Sequence, residues 1–309
     1  MIATQTTNLV RLTVGPVTVG LDMDRVLGIE RGDRVRPWPD RPDLAGRITN
    51  RAGEWPVLNL ASRLDLDHSP NLRTGQVVLT AVAGERHGLL IDRVSPITRL
   101  SAADVRAVPK SVARRGLFFD GLLMLDGRPL LLLDPDRLAG QVDLFAAEDD
   151  NPPPAAIRTS SRKLVSDRLL VIGQSEYPLP GGRVVGFGLP VGCVVEIIEA
   201  PAGTLVPGAA EHVREVTEWR GKPLPVIDLA AWCGLRMPPP SVRRVVVIRT
   251  ATREPVGLLA GPGVRMFPLP LPNAPSRRPI TLTEDRVLGV FDTNELTLVI
   301  PDLAKLTQS

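Results

Sequence analysis

The sequence predicts an all-β protein in which one unit of small barrels is written twice. Three observations carry that expectation. The 31 prolines and 27 glycines among 309 residues punctuate the chain too often for long helices. Between them lie short runs rich in Val, Ile, Leu and Thr, bounded by Gly, Pro and Asp, the pattern of strands joined by tight turns. The second half also repeats the first. Aligning Pro56 with Pro225 fixes an offset of 169 residues, at which Arg51/Arg220, Val57/Val226, Leu60/Leu229 and Leu66/Leu235 fall into step without a gap.

Near the start, GLDMDRVLGI (Gly20 to Ile29) returns as GLPVGCVVEI (Gly188 to Ile197) at an offset of 168, with Val26 on Val194. Next, NRAGEWPVLNLASRLDL (Asn50 to Leu66) sets an arginine turn before an apolar run that ends in asparagine. WRGKPLPVIDLAAWCGL (Trp219 to Leu235) repeats the plan with aspartate in the asparagine's place. Asn59 and Asp228 are equivalent as helix N-caps, because either side-chain oxygen accepts the orphan N–H groups of a first turn, but they are not equivalent as acids. Capping, with a short helix after each, is therefore the expectation. VVLTAVAGERHGLL (Val77 to Leu90) maps at 169 onto Val246 to Leu259, with Gly88 on Gly257.

Further along, Ser101-x-x-Asp104 resembles a capping box, and Pro135 and Pro301 suit first helical positions. Asp126-Gly127, between Leu122–Leu125 and Leu130–Leu133, is the dipeptide a type I′ hairpin wants, since both central residues need positive φ. AEDDNPPPAAIRTSSRK (Ala147 to Lys163) has no apolar period and reads as a linker. The expected organisation is a first domain at 1–146, a linker at 147–163 and a second domain at 164–309.

Apolar residues at 43% and charged residues at 23% are globular composition, and no apolar stretch nears the ~20 residues of a bilayer span. The N-terminus lacks a basic start followed by an apolar core, so the cytoplasm is the expected compartment. A net charge of +3, with arginine pairs scattered and without interleaved aromatics, argues against nucleic acid. Cys193 and Cys233 cannot make a metal site alone and read as small buried apolar residues. No nucleophile elbow, zinc-binding or phosphate-binding motif is present, and His68, His87 and His212 have no partner nearby in sequence. No catalytic residue, metal or cofactor is expected. Arg51 and Arg220 sit where a strand ends and a turn points the side chain outward, as a solvated arginine or as a donor fork for a partner. The alternative from another class is a β-barrel hydrolase acting through Asp228 or His87.

The order DRVLGI, DLAGRITNRAGEWPVLNL, VVLTAVAGERHGLLIDRV and LLMLDGRPLLLLDPDRL resembles the CheW-like domain of bacterial chemotaxis adaptors, and VVEII, WRGKPLPVIDL, VVVIRTATREPVGLL and LGVFDTNELTLVIPDLAKL repeat it. The resemblance implies two CheW-like domains in tandem, each a pair of five-stranded SH3-like barrels on a shared apolar core. It implies a non-enzymatic scaffold that bridges chemoreceptor cytoplasmic tips to the regulatory domain of a CheA-type histidine kinase and packs with other CheW-like proteins into arrays. The family's receptor-facing groove falls on Val26, Gly46 and Arg51 in the first half and on Val194 and Arg220 in the second. Ala52 stands for the turn glycine in copy one, Glu215 for the loop glycine in copy two, and LLAGPGV lacks the aspartate that Asp92 supplies in LLIDRV. These departures imply different partners for the two halves.

Overall fold

The computed structural model describes residues 6–38, 44–101, 104–109, 112, 118–141, 168–173, 184–199, 201–238, 240, 242–250, 254–268, 282–293 and 296–306. The apolar runs form strands throughout. In the first half these are β1 (Thr6–Val14), β2 (Val17–Asp22), β3 (Val26–Arg31), β4 (Gly46–Asn50), β5 (Gly53–Asn59), β6 (Gln76–Val82), β7 (Glu85–Ile91), β8 (Arg93–Ser101), β9 (Phe119–Leu125) and β10 (Arg128–Leu133). They make two five-stranded sheets, ordered β8-β1-β2-β10-β9 and β3-β6-β7-β5-β4.

The second half supplies β11 (Arg168–Gly173), β12 (Val184–Pro190), β13 (Val194–Glu199), β14 (Val213–Trp219), β15 (Lys222–Ile227), β16 (Arg244–Arg249), β17 (Pro255–Ala260), β18 (Val264–Pro268), β19 (Val287–Asp292) and β20 (Leu296–Pro301). Their orders, β18-β11-β12-β20-β19 and β13-β16-β17-β15-β14, reproduce the first pair strand for strand. The chain divides into two compact units, one centred on each half. The 147–163 stretch lies outside the described residues.

Most strands present one face to a core between the two sheets and the other to a smaller core of their own, as alternation at period two allows. In the second unit the shared core takes Ile172, Phe187 and Val299 from one sheet and Ile227, Val246 and Leu258 from the other, with Trp232 wedged between them. The opposite faces gather Leu169, Val171 and Leu298 in one barrel and Leu224, Val226 and Val245 in its neighbour. These are paired small barrels on a shared apolar core.

The strand register also corrects the alignment. Val57 pairs with Gly88 and Val226 with Gly257, so an offset of 169 holds for β5 and β7. Leu79 and Val247, however, both oppose those glycines, which places β6 on β16 at 168. The extra residue lies in the hairpin between β16 and β17. Packing agrees with pairing: a Cβ at Gly88 would meet Val77 Cγ1 at 2.6 Å, and one at Gly257 would meet Val245 Cγ1 at 2.6 Å. Val77 thus corresponds to Val245, not to Val246, whose side chain faces the shared core.

Asn59 and Asp228 cap α1 (Leu60–Arg63) and α2 (Leu229–Trp232), as expected. Asp126 and Gly127 have φ of 50° and 73°, as the tight hairpin requires. Pro135 opens a 3₁₀ segment, Pro135–Gln141. Pro301 instead closes β20 in register with Val287, a strand-end position where the missing N–H is tolerated, and turns follow it. Ser101 ends β8, and the two residues after it lie outside the described set.

Candidate protein-binding surface

Arg51 and Arg220 both occupy two-residue hairpin tips and both are exposed, but the tips differ. Arg220-Gly221 has φ of 53° and 72°, so both tip residues take the left-handed conformation, at no steric cost for the glycine and with strain for the arginine. In the first half Asn50 pairs with Gly53 across Arg51-Ala52, and the positive φ moves to Gly53, at 120°. Ala52 is therefore tolerated because the turn no longer asks it for φ above zero. Asn50 Oδ1 accepts from the Ala52 N–H at 2.9 Å and from Trp55 Nε1 at 3.0 Å, while Arg86 donates to the Ala52 carbonyl at 2.6 Å, so the tip that carries Arg51 is fixed.

Gly46 is a closure residue. The chain leaving β3 returns to pair Arg36 with Arg47 on β4, joining the two edges of the sheet into a barrel. A Cβ at Gly46, whose φ is +150°, would lie 2.3 Å from the Arg36 carbonyl oxygen and 2.7 Å from Val35 Cγ1. The other first-half barrel closes in the same way, through Arg106 and Leu122, with Gly121 beside the bridge. In the second half the small residue has changed sides. Gly203 stands for Val35 and Glu215 for Gly46, and a Cβ at Gly203 would meet the Glu215 side chain at 2.5 Å. Glu215 is buried and ion-paired with Arg243.

Val26 and Val194 open β3 and β13 and are half-buried. Val26 lies at the N-terminal end of its strand. The Arg51 hairpin passes the other end, where Arg34 Nη2 donates to the Thr49 carbonyl at 3.3 Å. The sheet thus sets Val26 on one edge strand and Gly46 and Arg51 on or beside the other. The residues that stand out here were not singled out from sequence: Leu27 is 59% exposed and Ile29 46% exposed on the edge strand β3, and Ile197 is 43% exposed at the matching position of β13. VLGI is apolar at four successive positions, so a strand whose side chains alternate must present apolar groups on both faces. Between them sits Gly28 in the first half. Its counterpart Glu196 accepts a hydrogen bond from Trp219 Nε1 of β14, on the strand face opposite the exposed Ile197.

Asp228 is committed on both oxygens. Oδ1 accepts from the Ala230 and Ala231 N–H groups at 2.9 and 3.2 Å, and Oδ2 accepts from Arg214 Nε and Nη2 at 3.0 and 2.6 Å. His87 lies in the first half, on β7, with Nδ1 3.3 Å from the Glu85 carbonyl. His68 does find a partner that sequence distance hid: Nε2 is 2.8 Å from Asp92 Oδ2, which also accepts the Gly15 N–H at 2.7 Å. Asp92 is thereby spent bracing the β1–β2 turn against the loop after α1. Cys233 is fully buried, and burial raises the Cys193 thiol to about 11, so both behave as apolar side chains. Among the described residues no group of His, Cys, Asp and Glu could hold a metal, and no helix is long and apolar enough to cross a membrane.

The CheW-like domain family matches residues 8–143 and 180–309. The chain is 28% identical over 142 residues to the chemotaxis protein CheW of Treponema pallidum, a match covering 44% of this chain and 84% of that protein. It is 26% identical over 140 residues to the chemotaxis protein CheW of Klebsiella aerogenes, covering 44% of this chain and 84% of that protein. The crystal structure of the scaffolding protein TtCheW from Thermoanaerobacter tengcongensis aligns with a TM-score of 0.36 at 20% identity, over 48% of this chain and 93% of that one. Two matched regions, repeated strand order and conserved capping geometry in both halves converge: the chain belongs to the CheW-like domain family, with two such domains in tandem.

Proposed function

We propose that the protein is a non-enzymatic cytoplasmic adaptor that couples the cytoplasmic tips of chemoreceptors to the regulatory domain of a CheA-type histidine kinase. The observation that carries this reading is the apolar stripe of Leu27 and Ile29 on the edge strand β3, beside Val26. Exposed apolar groups on a sheet edge mark a place where another chain docks, either as a helix laid on them or as an added strand. Arg51, held on a fixed tip, adds a directional donor, and Gly46 supports the surface by letting the barrel close beneath it. The relatives are named as chemotaxis proteins, in keeping with a binding role.

The two halves serve different partners in this proposal. The first presents Leu27-Gly28-Ile29 and is the receptor-type module. The second keeps Val194, Ile197 and Arg220, but half-buried Val195 stands where the first has exposed Leu27, so its apolar stripe is shorter and suits the kinase or another CheW-like protein. Joining both on one chain raises the effective concentration of the second contact once the first is made. The test is co-sedimentation and titration of the full chain with a receptor cytoplasmic fragment and, separately, with a kinase regulatory domain. L27D/I29D is expected to weaken the receptor at least about tenfold and spare the kinase, with I197D doing the reverse. Binding of neither partner, or equal loss of both in either variant, overturns the proposal.

A further inference from the structure

The first domain puts charge where the second keeps the inside of a barrel apolar. In the β8-β1-β2-β10-β9 barrel Leu9, Leu123 and Leu130 fill the interior, and alternation turns Arg11 and Thr13 of β1 to the same side as Leu9. Arg11 pairs with Gly20 across the β1–β2 hairpin and with Ser95 of β8. A Cβ at Gly20 would meet the ends of Leu132, Leu130 and Leu9 at 3.0, 3.3 and 3.5 Å, so the face that carries Arg11 is the inner one. The Arg11 Nε is buried and has no hydrogen-bond partner among the described residues.

One step nearer the β1–β2 turn lies a ring of polar groups. Thr13 pairs with Thr18, their hydroxyls 3.4 Å apart, and Arg93 pairs with Thr13 from β8. Arg128 opens β10 opposite Leu125, which packs on the inner cluster. Because β10 runs parallel to β2, with Leu131 against Val19, Arg128 lies at the same end of the barrel as the β1–β2 turn. Gly15-Pro16, Asp92 and Asp126-Gly127 make the strand connections at this end. Arg93 and Arg128 are exposed. Asp92 is occupied by the Gly15 N–H and His68, and among the described residues no carboxylate pairs with Arg11, Arg93 or Arg128. In the second domain, register puts Val171, Gly173, Gly186 and Leu296 in the places of Arg11, Thr13, Thr18 and Arg128. Val171 and Leu296 are buried, so the fold accepts apolar residues where these two arginines stand and does not need their charge.

A buried, unpaired donor on a cation is costly, and a protein that keeps one has a counter-group for it. We infer that this end of the first-domain barrel binds a phosphoryl dianion, as free phosphate or as a phosphate monoester. The Nε–Nη edge of Arg11 is the two-pronged donor, the Thr13 and Thr18 hydroxyls serve the remaining oxygens, and Arg93 and Arg128 stand at the rim. The planar fork of arginine matches the spacing of phosphate oxygens. Three cations and two hydroxyls suit an anion with two charges and at least three free oxygens better than a carboxylate, which has one charge and two oxygens. The site belongs to the first domain alone, since the second replaces Arg11 and both threonines. It is independent of the docking stripe, because β3 belongs to the other sheet.

The test is titration of the full chain, in chloride buffer at fixed ionic strength, with sodium phosphate, phenyl phosphate or acetate, followed by calorimetry and by the arginine Nε–H resonances in heteronuclear NMR. One resonance, shielded from exchange and absent in R11V, is expected to shift with phosphate and to saturate at one site per chain. R11V is expected to fold, since valine holds the same place in the second domain, and to resist urea in chloride at least as well as the parent. It is expected to bind phosphate at least about tenfold more weakly. R93Q and R128Q are each expected to weaken phosphate about two- to fivefold, the range for exposed ion pairs. Phosphate should raise the urea midpoint of the parent and leave that of R11V unchanged. Phenyl phosphate binding as tightly as phosphate assigns a monoester, and its exclusion assigns the free anion. Absence of saturable phosphate binding, or equal binding by R11V, overturns the site. Acetate binding as tightly as phosphate overturns the phosphoryl assignment.

Discussion

Gly257 offers the sharpest test of how the two halves correspond. In G257A the new methyl would sit 2.6 Å from Val245 Cγ1, 3.2 Å from Leu224 Cδ2 and 3.4 Å from the Pro225 carbonyl oxygen. The first of these is about 1 Å inside the optimum for two carbons, and overpacking of this kind costs about 1–3 kcal/mol. V245A alone removes two carbons from a fully buried side chain, about 2 kcal/mol at ~0.8 kcal/mol per carbon with a small cavity added. If the two changes were independent the double variant would lose about 3–5 kcal/mol. Because the deleted valine makes room for the added methyl, it should lose only about 2, a coupling of about 1–3 kcal/mol. V246A/G257A is the control: Val246 points into the shared core, so its loss and that of G257A should add. Urea unfolding of the five variants, the three single and the two double, followed by circular dichroism and tryptophan fluorescence, measures the cycle and its control. Coupling with Val246 and none with Val245 would refute the 168-residue placement of β16 and everything drawn from it.

The caps give a second comparison. D228A removes both the cap and the acceptor of Arg214, and should cost about 2–3 kcal/mol; Arg214 is 40% exposed and can rehydrate, which keeps the loss below that of a fully buried pair. N59A removes a cap alone and should cost about 1 kcal/mol, with D228N between the two; urea midpoints rank them. G46A places a methyl 2.3 Å from a backbone oxygen at φ +150° and should cost at least about 3 kcal/mol, with faster amide exchange at Arg36 and Arg47. G203A should cost less, because the atoms it meets are the far end of the Glu215 side chain. Acid gives a fourth. The hydrogen bond from Arg25, helped by the Ala83 N–H, holds the Asp136 carboxyl below its ordinary range. A depressed carboxyl contributes stability above its unfolded value that is lost as pH falls through the folded one, so unfolding midpoints should drop between pH 4 and pH 2 by less in R25Q than in the parent.

The duplicated plan was legible in sequence because its markers are local. Asp126-Gly127 makes its turn, and Asn59 and Asp228 cap their helices, through contacts within a few residues, so composition and spacing were enough. Arg51 and Arg220 were likewise placed on turns from the residues around them. What sequence could not reach were relations between distant strands. His68 and Asp92 are 24 residues apart and meet only because the loop after α1 folds against the β1–β2 turn. Gly46 looks like a loop glycine until Arg36 is seen crossing it. The exposed stripe on β3 depended on which strands flank it, since an apolar run reads the same on a covered strand as on a bare edge.

The sequence by itself determined the all-β class, the two copies, the caps and the hairpin, all of them consequences of backbone preference at short range. Tertiary structure alone decided the insertion between β16 and β17 and the exchange of Val35/Gly46 for Gly203/Glu215. Each of these depends on which side chains face one another across hydrogen-bonded strands. A slip of one residue reverses that facing while leaving composition and periodicity untouched.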